Sequence, residues 1–341
     1  MEQILKSRYR ITDKISENPF SVTYKGTLLG SSKPIVIKIY KRGTLNSSLI
    51  RVMKQKVKDL TLINYHGIAK LLDGDYGWQG FYYIREYVEG KSLEDLQNSG
   101  EKMSEEKIVL IIEESCRALE FAHSRGIIHG ALKPGNIIID VQGVVRLTDF
   151  VVEGEIKEAI PQKVLTILDN AHYTSPEELL GRPAAVSSDI YSLGQILGEL
   201  LVKKPLLSND SIRNNLTKLK SNTILATGLI DSLPRYLQDI LNKCLRYDPL
   251  QRFSSIAELR ESLEKKTLVY KEPLNDELSS LFDSTVTQYG EGDSLPDAAA
   301  LEEIGPTRLK WGKEKHRQWI LLFVLIAAVI AGIFSAFLFG R

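Results

Sequence analysis

Hydrophobic and polar positions follow two different periods along the chain. Before about residue 88, β-branched and aromatic residues alternate with polar ones or cluster between turn residues, which is typical of strands. The segments are "YRITDKI", "SVTYKGTLL", "PIVIKIYK", "IAKLLDGDYG" and "GFYYIREYV", with one helix-period stretch, "SSLIRVMKQKVKDLTLI", in their midst. The pattern predicts a small β-rich lobe that includes a single helix.

Longer helices follow Glu89–Gly90. "SEEKIVLIIEESCRALEFAHSRG" has apolar residues at helical spacing, with Ser104 as the predicted N-cap and Gly126 as the end. "SSDIYSLGQILGELLV" and "SLPRYLQDILNKCLRY" repeat the pattern. A larger helical lobe is therefore expected after the β-rich one.

The periodicity fades over residues 266–318, which we interpret as a linker. Between Glu272 and Ile304 there are nine acidic residues and no Lys or Arg, whereas four basic residues lie between Lys310 and Arg317. The uncharged run from Trp319 to Gly340 is long enough to cross a bilayer, so residues 319–340 are predicted to form a transmembrane helix. The positive-inside rule then places everything before the span in the cytoplasm, at the plasma membrane if the source is bacterial.

Overall charge and cysteine usage exclude several classes of protein. The 44 Lys and Arg residues almost balance 43 Asp and Glu residues, and a net charge of +1 predicts no nucleic-acid partner. Cys116 and Cys244 lie in apolar helical runs, which favours buried thiols over a disulfide. Without a Cys/His cluster at metal spacing, no zinc site is expected.

Five motifs, taken in order, resemble the eukaryotic-like (Hanks-type) Ser/Thr protein kinases over about residues 8–265. They are "HSRGIIHGALKPGNIIID", "VVRLTDF", "YTSPEELLG", "SSDIYSLG" and "YDPLQRFSSIAEL". The resemblance implies an α+β, bilobal protein-kinase fold with a small lobe at about 8–88 and a large lobe at about 89–265. It also implies ATP and Mg²⁺ as cofactors.

Several residues match the family's nucleotide site and its structural positions. The resemblance assigns Lys38 to the phosphates and Lys133 to the catalytic loop, with Asn136 and Asp149 as the Mg²⁺ ligands. Structural positions are matched by a buried pair, an acid that braces the catalytic loop and the loop's histidine: Glu177 with Arg252, Asp189 and His129.

The chain departs from the family where catalysis is carried out. Ala131 stands at the position of the catalytic Asp, and a methyl group cannot accept the proton of a substrate hydroxyl. Lys56 stands at the helix Glu that normally holds Lys38, and Asp59, the nearest acid, lies almost a turn away. No catalytic residue is therefore expected.

Two further departures affect the nucleotide pocket. The hairpin "KISENPFSVTYKG" has Ser16, Asn18 and Ser21 at the family's glycine positions, and Pro19 lacks an amide hydrogen, so it predicts a poor phosphate site. Arg85 stands at the usually apolar position behind the adenine. Its guanidinium could pair with an acid, fill the pocket or bind an anionic ligand.

Beyond Asp149, the sequence has Val151 where the family has a glycine, and Asn170 where it has a threonine. The favoured hypothesis is a membrane-tethered pseudokinase that binds protein partners and at most weakly binds ATP. The alternative is a slow or unconventional phosphotransferase, with Asp140 or Glu153 assisting. A sensor in which Arg85 contacts a ligand other than ATP stays open.

Overall fold

The β-branched and aromatic runs near the start of the chain form a six-stranded antiparallel sheet in the computed structural model. In chain order the strands are β1 (Gln3–Leu5), β2 (Tyr9–Glu17), β3 (Ser21–Leu28), β4 (Pro34–Lys41), β5 (Leu71–Gly77) and β6 (Gly80–Glu86), and their order across the sheet is β1-β2-β3-β4-β6-β5. The structure describes residues 3–150, 172–207, 216–218, 220–221 and 228–269.

The period-two alternation of β4 and β6 separates the two faces of this sheet. Ile35, Ile37 and Ile39 of β4 pack with Tyr82 and Ile84 of β6 in a small hydrophobic cluster on the outer face. The intervening residues of both strands lie on the opposite face, towards helix α1 (Ser47–Thr61). This inner face carries the polar side chains of the cleft.

A helical lobe follows the sheet. The helices described in this lobe include α2 (Leu93–Asn98), α3 (Glu105–His123), α4 (Pro176–Leu179), α5 (Val186–Val202), α6 (Arg235–Cys244) and α7 (Ile256–Glu264). The predicted N-cap is confirmed, because the Ser104 side chain accepts a hydrogen bond from the Lys107 amide at the start of α3. The bilobal protein-kinase architecture is thus confirmed.

A three-stranded antiparallel sheet lies in the helical lobe. It consists of β7 (Gly90–Ser92), β8 (Ile137–Asp140) and β9 (Val145–Leu147), in that order. A 3₁₀ turn, Pro134–Asn136, leads into β8. The Ala69 amide donates to the Leu147 carbonyl, and the Leu147 amide donates to the Gly67 carbonyl, both at 2.8 Å. These bonds fix the segment before β5 against β9.

Both cysteines of the helical lobe are buried free thiols, as the sequence predicts. Burial raises the pKa of the Cys244 thiol to about 12.

The described residues all lie within one compact unit, Met1–Glu272, and residues 273–341 belong to the part of the chain that the structure does not describe. The predicted transmembrane helix, 319–340, and nearly all of the linker, 266–318, belong to that undescribed part. Among the residues that the structure does describe, none of the helices is long and apolar enough to span a membrane.

Candidate functional site

Three side chains of the inner sheet face converge on the cleft. In the register of β4 and β6, Lys38 stands opposite Tyr83, and Val36 stands opposite Arg85. Because the side chains on one face recur every second residue, Tyr83 and Arg85 share the face of Lys38. Lys38 and Arg85 are both buried, with 6% and 9% of their surfaces exposed.

The two cations meet the carboxylate of Asp149, which follows β9. Arg85 Nε donates to Asp149 Oδ1 at 2.9 Å, and Lys38 Nζ lies 3.8 Å from Asp149 Oδ2. Arg85 Nη1 also donates to the Glu86 carbonyl at 3.2 Å, which fixes the guanidinium on a second side. Of the three alternatives for Arg85, the structure therefore has the pairing with an acid.

The electrostatics of this cluster are set by competing effects on Asp149. Burial alone would raise the pKa of its carboxyl group, but the charges of Arg85 and Lys38 and the hydrogen bond from Arg85 outweigh burial. The net result is a pKa well below the ordinary value for an aspartate. Asp149 is thus held ionised between two cations.

Asp149 also has an uncommon backbone conformation. Its φ of 61° lies in the left-handed region that non-glycine residues seldom adopt. The neighbouring Thr148 amide donates to the Asn136 carbonyl at 2.9 Å, and Phe150 packs its ring 4.4 Å from that of His129. These contacts hold the turn against the catalytic loop.

The loop around His129 is anchored by Asp189 of α5. One carboxylate oxygen of Asp189 accepts from the His129 amide at 2.9 Å, and the other accepts from the Gly130 amide at 2.8 Å. His123 Nε2 lies 2.8 Å from the same carboxylate. Gly130 supplies the positive φ, 65°, that this tight loop requires.

Ala131 occupies the centre of this ordered loop. Its side chain is buried, and its carbonyl accepts a hydrogen bond from Asn136 Nδ2 at 2.9 Å. The backbone is held as tightly as a catalytic loop requires, yet a methyl group stands at its functional position. Half-buried Lys133 leads into the 3₁₀ turn. Within that turn, Glu94 Oε2 of α2 packs against Gly135.

Helix α1 has Lys56 at the position where the family has the acid that holds Lys38, and the nearest acid is Asp59. Lys56 lines a cavity of about 580 Å³ between α1 and the catalytic loop, together with His129 and Gly130. Asp59 is exposed and accepts from Gln55 Nε2 at 3.0 Å. In the described part of the chain, Lys38 forms its salt bridge with Asp149 instead.

The hairpin between β2 and β3 is closed by a side chain. Asn18 Oδ1 accepts from the Phe20 amide at 2.9 Å and from the Ser21 amide at 2.7 Å. A phosphate-binding loop needs such amides to point at its ligand. In this hairpin the two amides donate to the Asn18 carboxamide oxygen, so they are not available to a phosphate oxygen.

A buried ion pair holds the far side of the helical lobe. Arg252 donates through Nη1 to Glu177 Oε1 at 2.7 Å and through Nη2 to Glu177 Oε2 at 2.8 Å. Burial alone would raise the pKa of Glu177, but the hydrogen bonds and charge of Arg252 keep it below the ordinary value. This bidentate geometry is the strongest kind of ion pair in proteins.

Comparison with known proteins assigns the fold to a family. The protein kinase domain family matches residues 9–265, which is most of the chain. The chain belongs to the protein kinase family. Its folded unit is called the kinase domain below.

Two of the curated relatives are bacterial proteins. The chain is 26% identical to the serine/threonine-protein kinase PrkC of Bacillus subtilis over 98% of its own length and 53% of PrkC. It is 28% identical to a probable serine/threonine-protein kinase of Clostridium perfringens, over 77% of this chain and 39% of that protein. The chain thus spans about half or less of the length of these relatives.

A solved structure supports the fold alone. The crystal structure of Rad53 residues 1–466 in complex with AMP-PNP superposes with a TM-score of 0.62, at 21% identity. The match covers 75% of this chain and 64% of that one.

The kinase family in general uses ATP and Mg²⁺, so the fit of a metal ion can be tested on these residues. Asn136 could supply an amide oxygen, since its Nδ2 is already directed at the Ala131 carbonyl. Asp149 does not fit, because each of its oxygens faces a cation. A divalent ion 4 Å from the guanidinium would meet a repulsion of roughly 8 kcal/mol at an effective dielectric constant of 20.

Of the two carboxylates that could substitute for a catalytic base, Asp140 is the one that the structure describes. Asp140 Oδ1 accepts from the Gln142 and Val144 amides, both at 2.9 Å, and thereby closes the turn from β8 to β9. Glu153, Val151 and Asn170 lie outside the described residues. Asp140 therefore serves the turn.

The sequence alone left open whether Arg85 pairs with an acid, and it did not predict that the acid is Asp149. The residues are 64 positions apart, and nothing local in the sequence joins them. The available signal was the unusual charge at an inward position of a central strand, which must find a partner when it is buried.

Proposed function

We propose that the kinase domain is a pseudokinase that binds protein partners, with at most weak binding of ATP. The observation that carries this proposal is Ala131, which stands in a catalytic loop that Asp189 and Asn136 hold in order. A loop that had simply degenerated would not need these hydrogen bonds. The fold around the missing base is kept, while the group that would accept the proton of a hydroxyl is gone.

Arg85 and the β2–β3 hairpin are two further observations that support the same proposal. The guanidinium neutralises Asp149, and Asn18 occupies amides of the hairpin. Each change weakens a different part of a phosphoryl-transfer site, whose work is mainly positioning and charge balance.

The second candidate is a slow or unconventional Ser/Thr kinase. The printed names of the relatives favour it, because they are serine/threonine-protein kinases. Lys38, Asn136 and Asp149 are also gathered in the cleft, and phosphoryl transfer does not strictly require a general base.

Transfer of the labelled γ-phosphate separates the two candidates. The full chain is incubated with Mg²⁺, ATP and a generic protein substrate, beside an Asp149→Asn variant as the matched control. The pseudokinase proposal predicts equal incorporation in both proteins. Incorporation by the wild type that disappears in Asp149→Asn would establish the kinase candidate instead.

We also propose that residues 319–340 tether the kinase domain to a membrane, with the domain on the cytoplasmic side. Support comes from the uncharged run itself and from the basic residues between Lys310 and Arg317. In a bacterium this would be the plasma membrane.

A further inference from the structure

Arg85 lies where its charge controls what Asp149 can bind. It is the sixth of the seven residues of β6, opposite Val36 of β4 and Leu71 of β5, so backbone pairing on both sides fixes its Cα. The side chain is 11% exposed and reaches into the cleft below the sheet. Such a position leaves the guanidinium little freedom to move away from the carboxylate.

The guanidinium is held by two different acceptors. Its Nε donates to Asp149 Oδ1 at 2.9 Å, and its Nη1 donates to the Glu86 carbonyl at 3.2 Å. A planar guanidinium with both edges engaged is oriented more firmly than a lysine ammonium would be. The Arg85 side chain is therefore held in a defined orientation in the site.

The carboxylate is held just as firmly. Asp149 has a left-handed backbone, and the hydrogen bond from the Thr148 amide to the Asn136 carbonyl fixes the residue before it. Lys38 Nζ lies 3.8 Å from the second oxygen, Oδ2. A metal ion that approached Asp149 would have to displace a charged hydrogen bond and lie beside two cations.

The space behind this ion pair is small. A cavity of about 20 Å³ is lined by Arg85, Asp149 and Phe150, by Tyr83 of β6, and by apolar residues between the end of α1 and the start of β5. That volume is close to what a single water molecule requires. There is no room there for the guanidinium to swing backwards and release the carboxylate.

We propose that Arg85 is the built-in counter-ion of Asp149 and excludes divalent cations from the cleft. A metal site needs carboxylate oxygens that are free to coordinate, whereas Arg85 is hydrogen-bonded to Oδ1 of Asp149 and Lys38 lies beside Oδ2. Removing the positive charge at residue 85 should therefore uncover a metal site. This inference goes beyond the pseudokinase proposal and does not depend on whether phosphate is transferred.

The test measures protein-bound Mn²⁺, a paramagnetic substitute for Mg²⁺, by electron paramagnetic resonance in the presence of ATP. The full chain is purified in detergent and compared with Arg85→Met, which removes the charge, and Arg85→Lys, which keeps it. Free Mn·ATP, measured without protein, is subtracted. Wild type and Arg85→Lys should hold no Mn²⁺ beyond that background.

Arg85→Met should bind Mn²⁺ above that background, with an affinity at least tenfold above the weakest that the measurement detects, because the metal no longer has to replace a hydrogen bond between charged groups. Adding Asp149→Asn to Arg85→Met should abolish the gain. If Arg85→Met does not fold, Arg85→Gln removes the charge with less change in volume and polarity.

Two results would overturn the proposal. One is Mn²⁺ binding by the wild type that disappears in Asp149→Asn. The other is a folded Arg85→Met or Arg85→Gln variant with no gain in Mn²⁺ binding. Neither result decides the pseudokinase proposal, which rests on transfer of the γ-phosphate and is measured separately.

Discussion

Asp149 shows, at the scale of single residues, how the surroundings of a side chain change its chemistry. The family resemblance implies that the aspartate at this position is a metal ligand. In the kinase domain the same carboxylate is bound by Arg85 and approached by Lys38. The residue is kept while its partner is different, and the identity of the partner decides what the carboxylate can do.

The low pKa of Asp149 predicts part of the acid sensitivity of the fold. Its pKa is depressed in the folded state, so its contribution to the free energy of unfolding is present above the unfolded pKa, about 3.9. That contribution is lost as the pH falls below about 4, towards the folded pKa. Asp149→Asn should therefore lose less stability than the wild type between pH 5 and about 3, as measured by urea unfolding. Asp59→Asn, at an exposed carboxylate, is the control, and parallel curves for wild type and Asp149→Asn would refute the assignment.

Ala131→Asp tests whether the missing base is the sole defect of the cleft. We expect at most a few-fold gain in γ-phosphate transfer, because Arg85 still binds Asp149 and Asn18 still occupies the hairpin amides. The double variant Ala131→Asp, Arg85→Met should exceed either single variant. A gain of about 10²-fold or more from Ala131→Asp alone, the usual effect of a general base, would show that the rest of the cleft is competent.

The sequence predicted which residues would be unusual at the site, but it could not predict how they would pair. Ala131, Lys56 and Arg85 stand out one by one against the motifs. That Arg85 meets Asp149 depends on the register of β4 with β6 and on the left-handed turn after β9. Such geometry is set by tertiary packing, which no local pattern records.

At the scale of elements, the long periodic segments are predicted well and the short ones are missed. Strands β2 to β6 and helices α1, α3, α5 and α6 correspond to the sequence patterns, because each has enough residues to show a period. Strand β1 has three residues, and the small β7-β8-β9 sheet contains one strand of four and two of three. Segments this short are formed by pairing with their neighbours, so their own sequence carries little signal.

The ion pair between α4 and the segment before α7 gives a prediction at this scale. Glu177→Gln should lower the free energy of unfolding by roughly 3 to 5 kcal/mol, because it leaves the buried Arg252 without its bidentate partner. Arg235→Gln, which breaks the exposed pair with Asp239 within α6, should cost less than about 1 kcal/mol. Urea denaturation of both variants checks the contrast. Equal losses would mean that the Glu177–Arg252 pair does not brace the helical lobe.

At the scale of the whole molecule, all the residues that the structure describes belong to the kinase domain. The order of a β-rich lobe and then a helical lobe was predictable, because the hydrophobic period changes once, near residue 89. Membrane attachment, by contrast, is a prediction from the sequence, from the uncharged run at 319–340 and the basic residues that precede it.

Truncation after residue 318 tests the proposed tether. The full chain should sediment with membranes and resist a carbonate wash, whereas the truncated chain should stay in the supernatant. Deletion of residues 272–304, which removes the acidic part of the linker and leaves the run intact, is the matched control and should remain bound. Release of the full chain by carbonate would contradict the proposed span.

The central claim, that the cleft is kept in order without catalysing transfer, is tested most directly by the fate of ATP itself. Chromatographic measurement of ATP, ADP and AMP after prolonged incubation with Mg²⁺ detects transfer of any part of the nucleotide to any acceptor. The full chain and its Asp149→Asn variant should consume ATP at the same background rate. Consumption by the wild type that falls to background in Asp149→Asn would contradict the account.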